Sequence, residues 1–274
     1  LECGLYFVAT PIGTARDITL RALDILASAD VLAAEDTRSM RRLMDIHGIA
    51  LGDRPLISYH DHNGARARPK LMQYLAQGRS VAYASEAGTP LIADPGYDLS
   101  KAAAEEGYLV TSAPGPTAIA TALTLAGLPT DKFLFAGFLP NSKSARISAL
   151  EALREVPATL VFYESPKRVG AMLLDSVTVL GDRPAAVCRE LTKKFEEIRR
   201  GRLSELAESV KEKAPKGEIV VVIDRAGQST VNESDLETDL RAALGRMTVR
   251  DASEMVAGAH GLPRRKVYQM ALGL

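Results

Sequence analysis

Short apolar runs that stop abruptly against turns rich in glycine, proline and charge recur along this chain, and that repetition limits its folds more than any single motif. The fullest case begins with Arg79-Ser80-Val81-Ala82-Tyr83, which reads as a short strand. It ends in Ala84-Ser85-Glu86-Ala87-Gly88-Thr89-Pro90-Leu91-Ile92-Ala93-Asp94-Pro95-Gly96. Glycine lets backbone approach a ligand closely, proline fixes the loop shape, and the freed N–H groups with the Glu86 carboxylate suit a polar small molecule. The run 5–9 closes likewise on Thr10-Pro11-Ile12-Gly13, and 31–34 on Glu35-Asp36-Thr37-Arg38. So do 108–111 on Ser112-Ala113-Pro114-Gly115-Pro116-Thr117, and 158–163 on Glu164-Ser165-Pro166-Lys167-Arg168. The run 185–188 meets Arg189-Glu190-Leu191-Thr192-Lys193-Lys194. Apolar runs without alternation belong to strands buried on both faces of a mostly parallel sheet. Open α/β sheets bind ligands beyond the carboxyl ends of their strands, so the repeated polar endings point to one shared cleft.

Between the runs lie helical patterns, and the alternation predicts an α/β fold. Asp17-Ile18-Thr19 caps a helix through Leu20, Ala22, Leu23, Leu26 and Ala27, and 98–106 forms another, ended by Gly107. The small-residue helix 118–126 opens behind Thr117, offering N–H groups to polar ligand atoms. A second unit starts near Phe133. Its run 217–224 is apolar enough to be a central strand, and its helix is expected through 149–153. The turn after the first strand carries neither GxGxxG nor a P-loop. Gly137 to Lys143-Ser144 lacks the glycine before the lysine. The reading is of two α/β domains, 1–113 and 114–228, with a linker-like polar stretch over 228–235. A helix-turn-helix-like extension over 229–274 follows, its turn expected at 258–263 before Arg264-Arg265-Lys266.

Charge and cysteine content narrow the function. Lys plus Arg and Asp plus Glu each number 34 in 274 residues, so the chain is not a general coat for nucleic acid or membrane, although a local basic face is open to it. Cys3 and Cys188 form no CxxC and have no neighbouring histidine pair, so they suggest neither a disulfide framework nor a structural zinc, and a reducing cytoplasm fits. No apolar run approaches the roughly 18 residues of a membrane span, and the start shows no secretion signal. The first residue is not Met, so further residues are expected before it. His60-Asp61-His62 has the look of a metal pair, but nothing else supplies ligands. A mobile polar loop running into Asn63-Gly64, Arg66, Arg68 and Lys70 is expected there, and no metal.

Taken together, the turns resemble one family, the tetrapyrrole-methylase-like methyltransferases, and within it members that methylate a cytidine ribose of small-subunit ribosomal RNA. The resemblance rests on Ala9-Thr10-Pro11-Ile12-Gly13, Asp17-Ile18-Thr19-Leu20, Glu35-Asp36-Thr37-Arg38 and Ser58-Tyr59-His60-Asp61-His62-Asn63. It continues through Ala87-Gly88-Thr89-Pro90-Leu91-Ile92, Asp94-Pro95-Gly96, Pro114-Gly115-Pro116-Thr117, Phe162-Tyr163-Glu164-Ser165-Pro166, Glu190-Leu191-Thr192-Lys193 and Lys216-Gly217-Glu218-Ile219-Val220. Thr14, Gly64, Glu86 and Lys167 depart from the family pattern, which has Asn, Glu, Asp and His there.

The resemblance implies two α/β domains with S-adenosylmethionine in the cleft between them, and a homodimer. It places cofactor contacts at Pro11, Ile12, Gly13, Glu86, Gly88, Thr89, Pro90, Ile92, Thr117, Ala118, Phe162, Tyr163, Leu191 and Thr192, several through backbone. A ribose hydroxyl must lose a proton during methylation, and the strand-end groups Glu35, Asp36, Glu164 and Glu190, with Lys193, are the catalytic candidates. RNA contacts are expected from Arg38, Arg41, Arg42, His60, His62, Arg66, Lys167, Arg264, Arg265 and Lys266, and the partner is ribosomal RNA within the small subunit. Two rivals stay open: methylation of a porphyrin or corrin precursor, and a non-catalytic ribosome-associated RNA-binding module.

Overall fold

The apolar runs 5–8, 31–34, 80–84 and 219–223 form strands buried on both faces, whereas the run at 108–111 falls on an edge strand that is largely exposed. The computed structural model describes residues 1–60, 62–226, 233–260 and 264–274, without the side chains at 233–235, 260 and 266. Strands β1 (Gly4–Val8), β2 (Val31–Ala34), β3 (Leu56–Ser58), β4 (Ser80–Ala84) and β5 (Leu109–Ala113) make a parallel sheet in the order β3-β2-β4-β1-β5. Helices α1 (Leu20–Ser28), α2 (Thr37–Ile46), α3 (Gly64–Ala76) and α4 (Tyr97–Glu105) connect them. One face packs Leu26, Leu32, Met40 and Met44 together; the other packs Leu5, Leu71, Leu75 and Leu99. Because β1 and β4 are neighbours, their carboxyl-terminal loops lie side by side. Tyr83 secures the second of these from beneath: fully buried, it donates its hydroxyl to Pro95 O at 3.0 Å and sets its ring edge-on to Phe7 and Tyr59.

Helix α5 (Ala118–Ala126) packs on a second sheet of β6 (Phe133–Phe138), β7 (Thr159–Glu164), β8 (Pro184–Arg189), β9 (Glu197–Arg202) and β10 (Ile219–Ile223). The order is β6-β7-β10-β8-β9. β6 and β7 run parallel; β10 is central, as its apolar run predicts, and antiparallel to both neighbours. Helices α6 (Lys143–Leu153), α7 (Val169–Leu180) and α8 (Leu203–Glu212) cover the far face around Leu160, Phe162, Met172 and Val221. Beyond the sheets, α9 (Glu233–Leu244), α10 (Val249–His260) and α11 (Arg264–Ala271) enclose a small core of their own, including Leu236, Leu240, Val256 and Val267.

Three expectations change, and one strand has no counterpart in the sequence reading. The polar loop expected after His62 is helix from Gly64, because Leu71 and Leu75 give the segment a buried stripe that outweighs Pro69 inside it. The charged stretch Glu197-Ile198-Arg199-Arg200-Gly201-Arg202 is the edge strand β9. Ile198 packs inward while Arg199 pairs with Glu197. Helix α6 starts at Lys143, before the expected span. Gly258 lies inside α10 rather than in a turn. Most of the expected linker and turn, and Asp61, lie outside the described residues. Among the described residues no helix is long and apolar enough to cross a membrane.

Candidate active site

The loops that leave β1 and β4 are stitched together. Thr10 N donates to Gly88 O at 2.9 Å and Gly88 N to Thr10 O at 3.0 Å, while Ser85 Oγ donates to Gly88 O at 2.7 Å. Gly88 has φ of 83°, a conformation that costs glycine little; Leu91 at 70° and Ala93 at 58° hold left-handed backbone without that freedom. On the second sheet, the loop after β8 does the same at Glu190, 49°, and Thr192, 64°. Backbone held in sparsely populated conformations on both sides of one gap is over-determined by its surroundings, and such residues cluster at ligand sites.

The two sheets meet at Gly13. A Cβ there would sit 2.5 Å from Lys193 Cγ and 2.6 Å from Thr192 Oγ1, so no larger residue fits without opening the junction. Thr14 N donates to Thr192 Oγ1 at 3.1 Å, and Thr14 Oγ1 donates back to Thr192 O. Thr89 Oγ1 donates to Pro116 O at 3.0 Å, tying the β4 loop to the segment that enters α5.

These loops enclose a cavity of about 940 Å³. Of the expected cofactor residues, Pro11, Ile12, Gly13, Glu86, Gly88, Thr89, Ile92, Thr117, Ala118, Tyr163 and Leu191 line it. Pro90, Phe162 and Thr192 are not in its walls. Alternation along β7 explains Phe162, whose side chain faces the helical layer, whereas its neighbour Tyr163 faces the cavity. Thr192 is spent on Thr14. Asp94, part of a quoted motif but not an expected contact, lines the cavity, and so does Phe138, 57 % exposed, which no motif marked. Phe138 is found only by folding: it ends an edge strand, and its ring lies 5.7 Å from Tyr163. Burial, reinforced by Asp94, pushes the Tyr163 phenol up to about 12 against a hydrogen bond with Thr117, so it is neutral at pH 7.

The catalytic candidates separate. Glu35, Glu164 and Lys193 line the cavity; Asp36 and Glu190 do not. Asp36 caps α2, accepting from Arg38 N at 2.7 Å and pairing with the Arg38 guanidinium, which holds its carboxyl below the usual range. Glu190 accepts from Glu218 N at 2.9 Å and from Lys193 Nζ at 3.1 Å; the Glu218 N–H is the main cause of its lowered pKa. Lys193 also reaches Glu218 Oε2 at 2.8 Å. Burial alone would lower the Lys193 ammonium, but these two carboxylates hold it above its ordinary value, as a fixed cation. The Glu164 side chain has no exposed surface. Its Oε1 accepts from Ser165 N at 2.7 Å and lies 3.2 Å from Arg168 Nε, which leaves Oε2 without a hydrogen-bond partner among the described residues. Glu35, half-buried at the end of β2, is the carboxylate of the set that lines the cavity and is open to it.

Of the expected RNA contacts, Arg38, Arg41 and Arg42 are exposed on α2, and Arg42 reaches the cavity wall. His62, Arg66 and Lys167 are exposed, while His60 is half-buried with its ring 6.0 Å from that of His62. Arg264 and Arg265 are exposed at the start of α11, Arg264 within 3.0 Å of Glu254; the Lys266 side chain lies outside the described set. Among the described residues no three His, Cys, Asp or Glu side chains group as metal ligands. In chemical terms, the cavity offers close backbone on one side, carboxylates around its rim, and a flat apolar wall of Ala118, Tyr163, Leu191 and Val220 on the other. That set suits a cationic ligand carrying a flat ring system.

Comparison with known proteins follows the same division. The sequence pattern of the tetrapyrrole (corrin/porphyrin) methylases matches residues 4–207, and that of the RsmI C-terminal HTH domain matches residues 230–274. A ribosomal RNA small subunit methyltransferase I of Mesorhizobium japonicum is 47 % identical over 276 residues, spanning 100 % of this chain and 93 % of that protein. The protein of the same name from Escherichia coli O157:H7 is 41 % identical, over 98 % of this chain and 94 % of its own. Among solved structures, a conserved hypothetical protein from Aeropyrum pernix K1 superposes with a TM-score of 0.65 at 17 % identity, covering 99 % of this chain and 96 % of that one. A uroporphyrin-III C-methyltransferase from Thermus thermophilus, complexed with S-adenosyl homocysteine, gives 0.56 at 20 % identity, over 80 % of this chain and 96 % of that one. These last two likenesses are of fold.

Proposed function

The chain belongs to the tetrapyrrole (corrin/porphyrin) methylase family, and from that premise we propose that it transfers a methyl group from S-adenosylmethionine to the ribose 2′-hydroxyl of a cytidine in small-subunit ribosomal RNA. The observation that carries this reading is the match along the whole chain, at 41–47 % identity, to proteins named for methylation of that RNA. It spans the cavity loops and the C-terminal helices together. A porphyrin or corrin substrate leaves those helices without a task.

The cavity fits the cofactor. Gly13 and Gly88 line it, Glu86 and Asp94 supply negative charge for a sulfonium, and the Tyr163 side of the cavity takes the purine. When bound, S-adenosylmethionine supplies an electrophilic methyl group. The protein's part is alignment and charge management. Glu35, which lines the cavity from the end of β2 and is only half-buried, takes the proton of the ribose hydroxyl. Lys193, fixed between Glu190 and Glu218, presents positive charge to a phosphate. Arg38, Arg41, Arg66, Lys167 and the Arg264-Arg265-Lys266 start of α11 follow the RNA backbone.

The protein works in the cytoplasm as a homodimer of units divided as 1–113, 114–228 and 229–274. The exposed apolar side chains of edge strands β5 and β6, among them Leu109, Phe133 and Leu134, favour self-association. Calorimetric titration with S-adenosylmethionine tests the cofactor assignment. Binding by the intact protein that disappears in a folded Thr89→Arg variant is expected; no binding by the intact protein returns the choice to a non-catalytic RNA-binding module.

A further inference from the structure

Resting on the reading of the chain as an RNA methyltransferase, we propose that a side chamber of the cavity receives the nucleobase of the acceptor nucleotide. The chamber has a volume of about 330 Å³ and shares Pro11, Gly13, Ser39, Arg42 and Glu86 with the main cavity. The second sheet contributes nothing to it. Its remaining walls come from Thr10, Ala15, Ser85 and the α2 residues Met40, Leu43 and Ile46.

Helix α2 shows why the chamber is built for a ligand. Met40 and Met44 supply its buried contacts with the sheet. Ser39, Arg42, Leu43 and Ile46 recur at the i, i+3, i+4, i+7 spacing of one helix face, and all four line the chamber. That face is mixed: Leu43 also packs against the core, whereas Ile46 is a 56 % exposed apolar side chain beside the cations Arg38, Arg41 and Arg42. The hydroxyls of Thr10 and Ser85 are spent on the carbonyls of Ser85 and Gly88. At the mouth, Arg42 and Glu86 are exposed, and among the described residues neither makes a hydrogen bond or an ion pair.

A nucleobase has the complementary form. Its face is apolar and its edge carries both acceptors and donors, which a guanidinium and a carboxylate meet respectively. The arginines of α2 make the entrance favourable to a polyanion, so the occupant is a base of the RNA strand turned out of its stack. The purine of the cofactor belongs to the opposite wall, where the second sheet supplies Tyr163 and Leu191.

The test uses the full chain and small ribosomal subunits carrying either cytidine or uridine at the acceptor position, with Ile46→Trp, Arg42→Ala and Arg41→Ala variants. Ile46 is exposed, so tryptophan there fills the chamber without disturbing the core; should that variant not fold, Arg42→Ala decides alone. The expected result is S-adenosylmethionine affinity within about twofold of the parent for all three. Ile46→Trp raises KM for subunits at least about tenfold. Arg42→Ala narrows the preference for cytidine over uridine by about tenfold, the scale of one lost edge contact, whereas Arg41→Ala weakens both substrates equally. Unchanged KM and unchanged base preference would overturn the inference, as would a tenfold loss of S-adenosylmethionine affinity in the variants, which would give the chamber to the cofactor. Failure of the parent protein to bind S-adenosylmethionine would instead overturn the underlying reading.

Discussion

Adjacent residues in this protein divide labour. Glu35 and Asp36 follow one another at the end of β2, yet one lines the cavity and the other caps a helix. Phe162 and Tyr163 face opposite sides of their sheet. The motifs therefore marked the turns that line the cavity, while the pleat of a strand and the first turn of a helix decided which member of each pair faces it. Phe138 was not legible at all, because its ring reaches the cavity only through an edge strand's neighbour. Replacing Glu35 by Gln should lower kcat about a hundredfold or more while S-adenosylmethionine affinity stays near the parent value. Single-turnover methylation and calorimetry check this, and an unchanged kcat would remove Glu35 from proton transfer. Glu190 gives a test by pH. Its carboxyl is held below the ordinary range, so the stability it contributes is present above the unfolded value of about 4.3 and is lost as pH falls through the lower folded value. Glu190→Gln should accordingly lower Tm at pH 7, with the gap closing toward pH 3; a gap independent of pH contradicts the assignment.

At the scale of elements, apolar content was readable and polar elements were not. β1, β2, β4 and β10 are apolar runs buried throughout, and each was evident from residues alone. Helix α3 and strand β9 carry so many cations that their inward positions, the buried Leu71 and Leu75 in one and the half-buried Ile198 in the other, become visible only once partners are placed. Helices α6 and α7 hold an ion pair that no periodicity reveals. Arg146 Nε lies 2.8 Å and Nη2 2.7 Å from Asp175 Oδ2, with both side chains almost wholly buried. Removing one partner leaves an uncompensated buried charge, so Asp175→Ala should cost about 3–5 kcal/mol in denaturant unfolding. Asp175→Ala together with Arg146→Met should recover much of that loss. Recovery of none would mean that α6 and α7 depend on the pair for more than neutrality.

The whole molecule places two sheets around one cavity and a helical unit with its own core beyond them. Contacts at Gly13, Thr14 and Thr89 fix the junction, so the cavity is part of the folded chain rather than something a ligand must assemble. The neutral total charge conceals a cationic α2 and a cationic start to α11. Arg264→Glu with Arg265→Glu should weaken binding to small subunits at least tenfold and flatten its dependence on salt, without altering S-adenosylmethionine affinity. A steep salt dependence retained in that variant would place the RNA elsewhere. The central claim is most directly tested by incubating the protein with S-adenosylmethionine tritiated in its methyl group and small subunits from a strain lacking this enzyme, then digesting the RNA to nucleosides. Label in a single ribose-methylated cytidine is the predicted result; no label in the RNA, with transfer to a porphyrin or corrin precursor instead, would contradict it.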